Sequence, residues 1–340
     1  MFEYRGNLHV HTTMSDGSLP VEEVAKAAKR SGLDFVGIND HHFLYPGNRY
    51  LNGVLMLMGT ELNSSHSHYL AYNIQEGARA KQISGPEAAK FVKSQGGFGF
   101  IAHPWEEGSP LVARGKTYNW QDWNSQDFDG IEVWNLSSRW KDKMPTYRHA
   151  LAAIFTGIMI PFRDGPCPKA LARFDEICQQ RKITAIAGSD LHGPRFGKGR
   201  LSVSVLGYDL LFRAANNYVL THQSLKGDPQ EDSLTILTAL RHGRSWFALD
   251  WLYPASGFRL NIGDKGMGDH VSWREGLELN LQSPQKARFR LLHNGQARAE
   301  TELTQGRLAL PGPGVYRVEG YLERRGKLWP WLFSNPIYLR

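Results

Sequence analysis

His9 and His11 flank a single valine in the stretch GNLHVHTTMSDG, residues 6–17, and Asp16-Gly17 follow closely. A strand alternates its side chains, so the two imidazoles point to one side and Val10 to the other. Two neutral imidazoles with a carboxylate a few residues on suit a divalent ion of the zinc, manganese or iron kind. A pair of hydrogen-bonded polar side chains at a strand end would look the same, so the remaining ligands have to decide. They recur in pattern. The apolar stretches LDFVGIND, GVLMLMGTEL, FGFIAHP and ITAIAGSDLH end at or beside His41, Glu61, His103, Asp190 and His192. Together with NLHVH, five strand ends carrying residues of the metal-ligating kind are hard to reconcile with coincidence.

The elements that must position these residues alternate over the first 200 positions. NLHVH reads as a strand. LPVEEVAKAAKRSG reads as a helix with Pro20 near its start, acidic residues in its first turn, Lys29 and Arg30 in its last and Gly32 as its stop. Further strands are expected at LDFVGIND, GVLMLMGTEL, HYLAYNI, FGFIAHP, FDGIEVWN and ITAIAGSDLH, and helices at GPEAAKFVKSQGG, about 142–159 and about 168–181. This is the β-α-β-α order of a parallel sheet, whose strand ends build active sites in barrels. A last helix, in GDPQEDSLTILTALRHGRS, starts near Asp228 and stops at Gly243. Beyond about residue 250 the texture changes to short alternating stretches closed by turns such as Asn294-Gly295. That pattern predicts a small, Ig-like β-sandwich over 255–340, appended to a catalytic unit over 1–250.

A chain of 340 residues exceeds what one ordinary core holds, consistent with two domains. Its 41% hydrophobic and 21% charged content is globular. The net charge of +7 comes from scattered Lys and Arg without a basic run, which draws a nucleic-acid footprint only weakly and suits a small anionic substrate equally. The two cysteines, Cys167 and Cys178, form no metal or disulfide pattern and read as reduced thiols. No signal-peptide pattern stands in MFEYRGNLHV, and the most apolar run, Ala150 to Phe162, falls short of the roughly 20 residues a bilayer span needs. The expectation is a cytoplasmic protein without a membrane partner.

Taken together, His9-x-His11, Asp16-Gly17, Asp40-His41, Glu61, His103-Pro104 and Ser189-Asp190-x-His192 resemble the motifs of the PHP (polymerase and histidinol phosphatase) superfamily, in order, over about residues 5–250. DGIEVWN, AGSDLHGP and a tail ending in SNPIY are similar to its carbaryl-hydrolase-like branch. The resemblance implies a distorted (β/α)7 TIM-like barrel holding two or three divalent metal ions (Mn, Zn or Fe) and phosphoester hydrolysis, with Glu61, Asp190 and His192 as catalytic residues. It implies that His9, His11 and Asp190 bind one metal, that Glu61 bridges to a second completed by His103 and His68, and that Asp16, His41 and His192 hold a third. His68 is preferred to His66 because it opens the apolar stretch YLAYN, although the two share a strand face. Clustered cations would acidify a water and clamp attacking and leaving oxygens. Asp40 reads as a partner of a ligand or as a strand-end cap.

Arg195, Lys198 and Arg200, in HGPRFGKGR, follow the last ligand motif and are candidates to grip a phosphate, with a solvated basic loop as the alternative. Arg163 is a further candidate cation. Trp105, Trp134 and Trp140 either wall a pocket or simply pack. The leading expectation is a phosphomonoesterase or phosphodiesterase acting on a small phosphorylated substrate. A carboxylester or carbamate hydrolase would use the same metals, and a binding module that has lost catalysis would show degraded ligands, which this sequence does not.

Overall fold

The computed structural model describes residues 1–64, 66–77, 83–149, 159–196, 203–204 and 206–340. The chain is mixed α/β and rich in sheet. The first strand, Phe2–Val10, is exposed at its start and fully buried from Gly6 onward. It pairs in parallel with Phe35–Ile38, which pairs in parallel with Val54–Met58. Every residue of the latter two strands is buried. Covered on both faces, such strands need continuous apolar runs rather than alternation, which is why VLMLM reads so clearly in the sequence.

After Gly59 the chain changes sheet. Thr60–Asn63 starts a five-stranded sheet that continues through His68–Tyr72, Phe98–Ile101, Gly130–Asn135 and Thr184–Gly188. The first two pairings are antiparallel and the last two parallel. The two sheets meet again where they carry the candidate ligands. Ser189 and Leu191 donate backbone N–H bonds to Leu8 and His9, and His11 donates to Leu191. An isolated parallel bridge likewise joins His41 to Glu61.

The Thr184–Gly188 strand is held further by amide side chains. Asn217 accepts from the N–H of Ala187 and donates to its carbonyl, at 3.0 and 2.6 Å. Asn335 does the same for Ala185, at 2.8 and 3.0 Å. A carboxamide carries the same donor and acceptor as a peptide group, so these two buried residues stand in for a neighbouring strand.

The helix Val21–Arg30 buries Val21, Val24, Ala25, Ala27 and Ala28, and Pro168–Gln180 and Pro229–Arg241 follow the sequence pattern. One helix was not expected from the sequence. It spans Leu136–Asp142, because Asn135, at the end of its strand, accepts from the N–H of Ser138 and caps it. The helix expected over about 142–159 is seen at 147–149, and its residues 150–158 lie outside the described residues. No helix among the described residues is long and apolar enough to cross a membrane.

The C-terminal strands are longer than the expected short stretches. Glu278–His293 and Gln296–Ala309 form a hairpin around Asn294-Gly295, both at positive φ, as a two-residue turn requires. The sheet is continuous from the first strand outward. Asn216–Thr221 pairs with Phe2–Val10 and with Ser245–Ala248, which pairs with Lys327–Ser334. Within RSWFALDW the faces divide, as strand alternation demands. Phe247 joins the core beneath the site and stacks on Phe333, while Trp246 and Ala248 join the second core with Phe258, Phe289 and Trp331.

Candidate metal centre

His9 and His11 reach one site, though by a different route from simple alternation. His9 has a φ of 65°, and the strand's register with its neighbour slips between Asn7 and Val10. His103 and Asp190 also sit at positive φ, 28° and 49°. Backbone of this kind is costly for residues with a Cβ and gathers at functional sites.

Glu61 is the hub. It is fully buried. Its Oε2 lies 3.3 Å from His9 Nε2, 3.4 Å from His11 Nε2 and 3.0 Å from His41 Nδ1. Its Oε1 lies 2.7 Å from His68 Nδ1 and 3.3 Å from His103 Nε2. Asp190 Oδ1 is 3.4 Å from Nε2 of both His9 and His11. A third arrangement lies at the solvent side, where Asp16 is 3.1 Å from His192 Nε2 and 3.5 Å from His41 Nε2. His192 stacks on His11 with ring centroids 4.0 Å apart.

These residues form four overlapping groups of ligating atoms: His9, His11 and Glu61; His9, His103 and Asp190; Glu61, His68 and His103; and His11, Asp16, His41 and His192. All nine of the candidate ligands are among them. Two features of the donor set suit a cation. Two atoms each about 2.1 Å from one ion in tetrahedral directions lie about 3.4 Å apart, which matches the repeated 3.3–3.4 Å spacings. Furthermore, His9 Nε2, His11 Nε2, Glu61 Oε2, His68 Nε2 and His103 Nδ1 are buried without a hydrogen-bond partner. Buried polar atoms are rarely left so; His9 Nε2 and His11 Nε2 lie 3.3 and 3.4 Å from Glu61 Oε2 and these three need a common occupant, whereas His68 and His103 turn their other ring nitrogens to Glu61. The residues fit a divalent metal.

The electrostatics agree. Burial alone would raise the carboxyls of Glu61 and Asp190. The imidazoles around them reverse this and hold both well below the usual carboxylate range. Burial, reinforced by His192, pushes His11 down to about 3, leaving it neutral and able to offer a lone pair. For His41 and His103 burial works downward too, but neighbouring carboxylates win and push them up to about 11 and about 9. The carboxylates thus draw protons onto His41 and His103, and the same negative field suits cations that would take the place of those protons.

Asp40 lies in none of these groups. It accepts from the Thr12 N–H and from the hydroxyls of Thr12 and Ser15, fixing the loop that carries Asp16. His66 is exposed, whereas His68 is buried against Glu61. Arg195 opens a two-residue strand paired with Val203–Ser204, while Lys198 and Arg200 lie outside the described residues. Arg163 lies 3.9 Å from Asp164. Trp105 stacks on Trp123, and Trp134 packs edge-on against Phe247 and Phe333. Trp140 is partly buried against the same core. His270 and His293 stay apart from the groups, His293 bonding the carbonyl of Pro313.

Three residues near the centre escaped sequence reasoning. Glu106 lies 3.7 Å from His103 Nδ1 and is paired with Lys141 at 3.0 Å. Glu132, in DGIEVWN, touches His9. The signal for Glu132 was there, because a carboxylate inside a run as apolar as GIEVW must find a buried partner.

Among known proteins, an uncharacterized protein of Methanocaldococcus jannaschii is 27% identical over 152 residues, 40% of this chain and 84% of that protein. A two-domain Bacteroides vulgatus protein containing a predicted PHP-like metal-dependent phosphoesterase is similar over 98% of this chain and 95% of its own, with 16% identity and a TM-score of 0.48. An amidohydrolase from Chromobacterium violaceum with bound sulfate and no metal is similar over 56% of this chain and 88% of its own, with 16% identity and a TM-score of 0.34. Residues 7–94, which carry His9, His11, Asp16, His41, Glu61 and His68, match the PHP domain family.

Proposed function

We propose that this chain is a metal-dependent hydrolase of the PHP kind that cleaves phosphoesters in a small anionic substrate. The observation that carries the reading is the convergence of the buried, unpartnered His9 Nε2, His11 Nε2 and Glu61 Oε2 beside Asp190, with the other candidate ligands grouped around them. The PHP domain match over residues 7–94 supports it. In this reading the strands described above form a distorted (β/α)7 barrel over 1–250, with a β-sandwich over 255–340.

His9, His11 and Asp190 would hold one ion, Glu61 would bridge it to a second held with His68 and His103, and Asp16, His41 and His192 would hold a third. Bound there, divalent ions supply Lewis-acid activation of a hydrolytic water and neutralise charge on the transferring group. The chain's own contribution is order and access. His9, His11 and Glu61 are fully buried, which fixes their geometry and excludes bulk water. Asp16 and His192, with 56% and 26% of their side chains exposed, face the solvent and mark the side of approach. His192 is held by its Nδ1 bond to the Asp190 carbonyl at 3.0 Å, which keeps its Nε2 toward Asp16. Arg195, Lys198 and Arg200, which follow it in sequence, would contact the substrate's phosphate.

The test is a turnover screen of phosphomonoesters, phosphodiesters and carboxylesters with protein reconstituted in manganese, zinc or iron. Phosphoester turnover that falls at least about a hundredfold in Glu61→Gln supports the reading, since loss of metal activation has effects of that order. Turnover of carboxylesters alone, or activity indifferent to Glu61, overturns it.

A further inference from the structure

We infer that Glu132 is a positioning residue that sets which ring nitrogen of His9 faces the metal centre. The role rests on the metal-binding reading above and assigns a function to a carboxylate outside the ligand groups.

Glu132 is 1% exposed and lies in the middle of the Gly130–Asn135 strand. Its two oxygens have separate tasks. Oε2 accepts from the backbone N–H of His103 at 2.8 Å and from Asn135 Nδ2 at 2.9 Å. Asn135 is itself fixed by capping the next helix. The carboxylate is therefore anchored on one side, which aims Oε1 at His9 Nδ1, 2.8 Å away. A carboxylate oxygen accepts, so Nδ1–H donates and the proton is held on that nitrogen. The opposite nitrogen, Nε2, is the buried unpartnered atom that faces Glu61 and Asp190. Hydrogen bonding of the distal ring nitrogen is what fixes the orientation and donor atom of a ligating histidine. His9 needs such a tether because its backbone sits at positive φ, where strand geometry does not set the ring's direction.

Gly188 makes this contact geometrically feasible. A Cβ there would overlap the Glu132 carboxylate and come 3.0 Å from His9 Cβ. The glycine ahead of Ser189-Asp190 is thus room for the Glu132–His9 bond, on the very strand that delivers Asp190.

The geometry makes Glu132→Gln an unusually specific perturbation. The anchored side still faces two N–H donors, so the amide oxygen must stay there. The amide NH2 then faces His9 Nδ1, which must become the acceptor. His9 carries its proton on Nε2, the nitrogen that would bind metal. Every hydrogen bond in the pocket is still satisfied, so the fold is retained while the ligand is blocked.

The experiment is zinc titration of wild type and Glu132→Gln against a competing chelator, with thermal unfolding of the zinc-free proteins and 15N-histidine NMR of the zinc-loaded wild type. The expected result is zinc affinity lowered about 10- to 100-fold with a zinc-free melting temperature close to wild type. In the zinc-loaded wild type the proton of His9 is expected on Nδ1. Wild-type binding with unchanged affinity in Glu132→Gln overturns the role of Glu132 alone, whereas absence of zinc binding in the wild type overturns the metal-centre reading itself. Should Glu132→Gln fail to fold, the NMR measurement decides without it, because a proton on Nε2 of His9 in the zinc-loaded wild type contradicts the inference.

Discussion

Replacing Arg317 by methionine should cost this protein several degrees of melting temperature without touching the candidate centre. Arg317 lies in the C-terminal strand Gly314–Arg324 and is 3% exposed. Its guanidinium grips Asp175, in the helix Pro168–Gln180, through two bonds of 2.6 and 2.7 Å, and Glu319 through a third of 2.8 Å. Methionine keeps most of the stem and removes the charge, leaving the buried Asp175 carboxylate without its guanidinium. Breaking a buried pair in this way costs about 3–5 kcal/mol. Unfolding entropy is about 2.1 cal/mol/K per residue, so a chain of 340 residues that melts as one unit has about 0.7 kcal/mol/K and should lose about 4–7 °C. If residues 255–340 melt on their own, the entropy is only about 0.2 kcal/mol/K, and that transition should split off and fall by roughly 15–25 °C. Differential scanning calorimetry distinguishes the two outcomes. A shift within about 1 °C would refute the assignment of Arg317 as a buried electrostatic link.

Other consequences can be checked independently. Asn335→Ala removes the amide that pairs with Ala185, so it should destabilise the chain by about 1–3 kcal/mol and weaken metal retention, read by urea unfolding and elemental analysis; a change confined to stability would separate the tail from the site. Cys178 is fully buried, and burial pushes its thiol up to about 12, so a thiol reagent at neutral pH should modify Cys167 first and Cys178 only on unfolding, as peptide mapping would show. Burial pushes the Asp250 carboxyl up to about 6, against the opposing bonds from Asn216 and Tyr218. The folded chain therefore keeps that proton over a range where the unfolded chain has lost it, and stability falls as pH rises from about 4 to about 6, by about 3 kcal/mol from this group. Asp250→Asn should remove that part of the slope in denaturant midpoints measured across the range, and an unaltered slope would contradict it.

Much of this architecture could be read from the sequence because it is local. VLMLM is apolar because both faces of its strand are covered, and His41, Glu61, His103 and Asp190 stand out because they follow such runs. What could not be read depends on residues distant in the chain. Glu132 meets His9 across 123 positions, and Asn335 reaches Ala185 across 150. Neither partnership leaves a periodic trace. The slip at His9 is invisible for a different reason, since a backbone bulge alters no residue type. The short helix Leu136–Asp142 was missed because Asn135 serves at once as strand end and cap. The length of the C-terminal hairpin was hidden because Gln296–Ala309 exposes most of its residues, so its polar sequence resembles loop.

The histidines and carboxylates around Glu61 are proposed to hold divalent metal. Elemental analysis of protein purified without chelator, then reconstituted with manganese, zinc and iron, tests it most directly, with Glu61→Gln run in parallel. At least two ions per wild-type chain and a clear loss in Glu61→Gln are expected, because such sites depend on deprotonated ligands already in place. Fewer than about one ion per reconstituted wild-type chain, or equal metal in the variant, would contradict it.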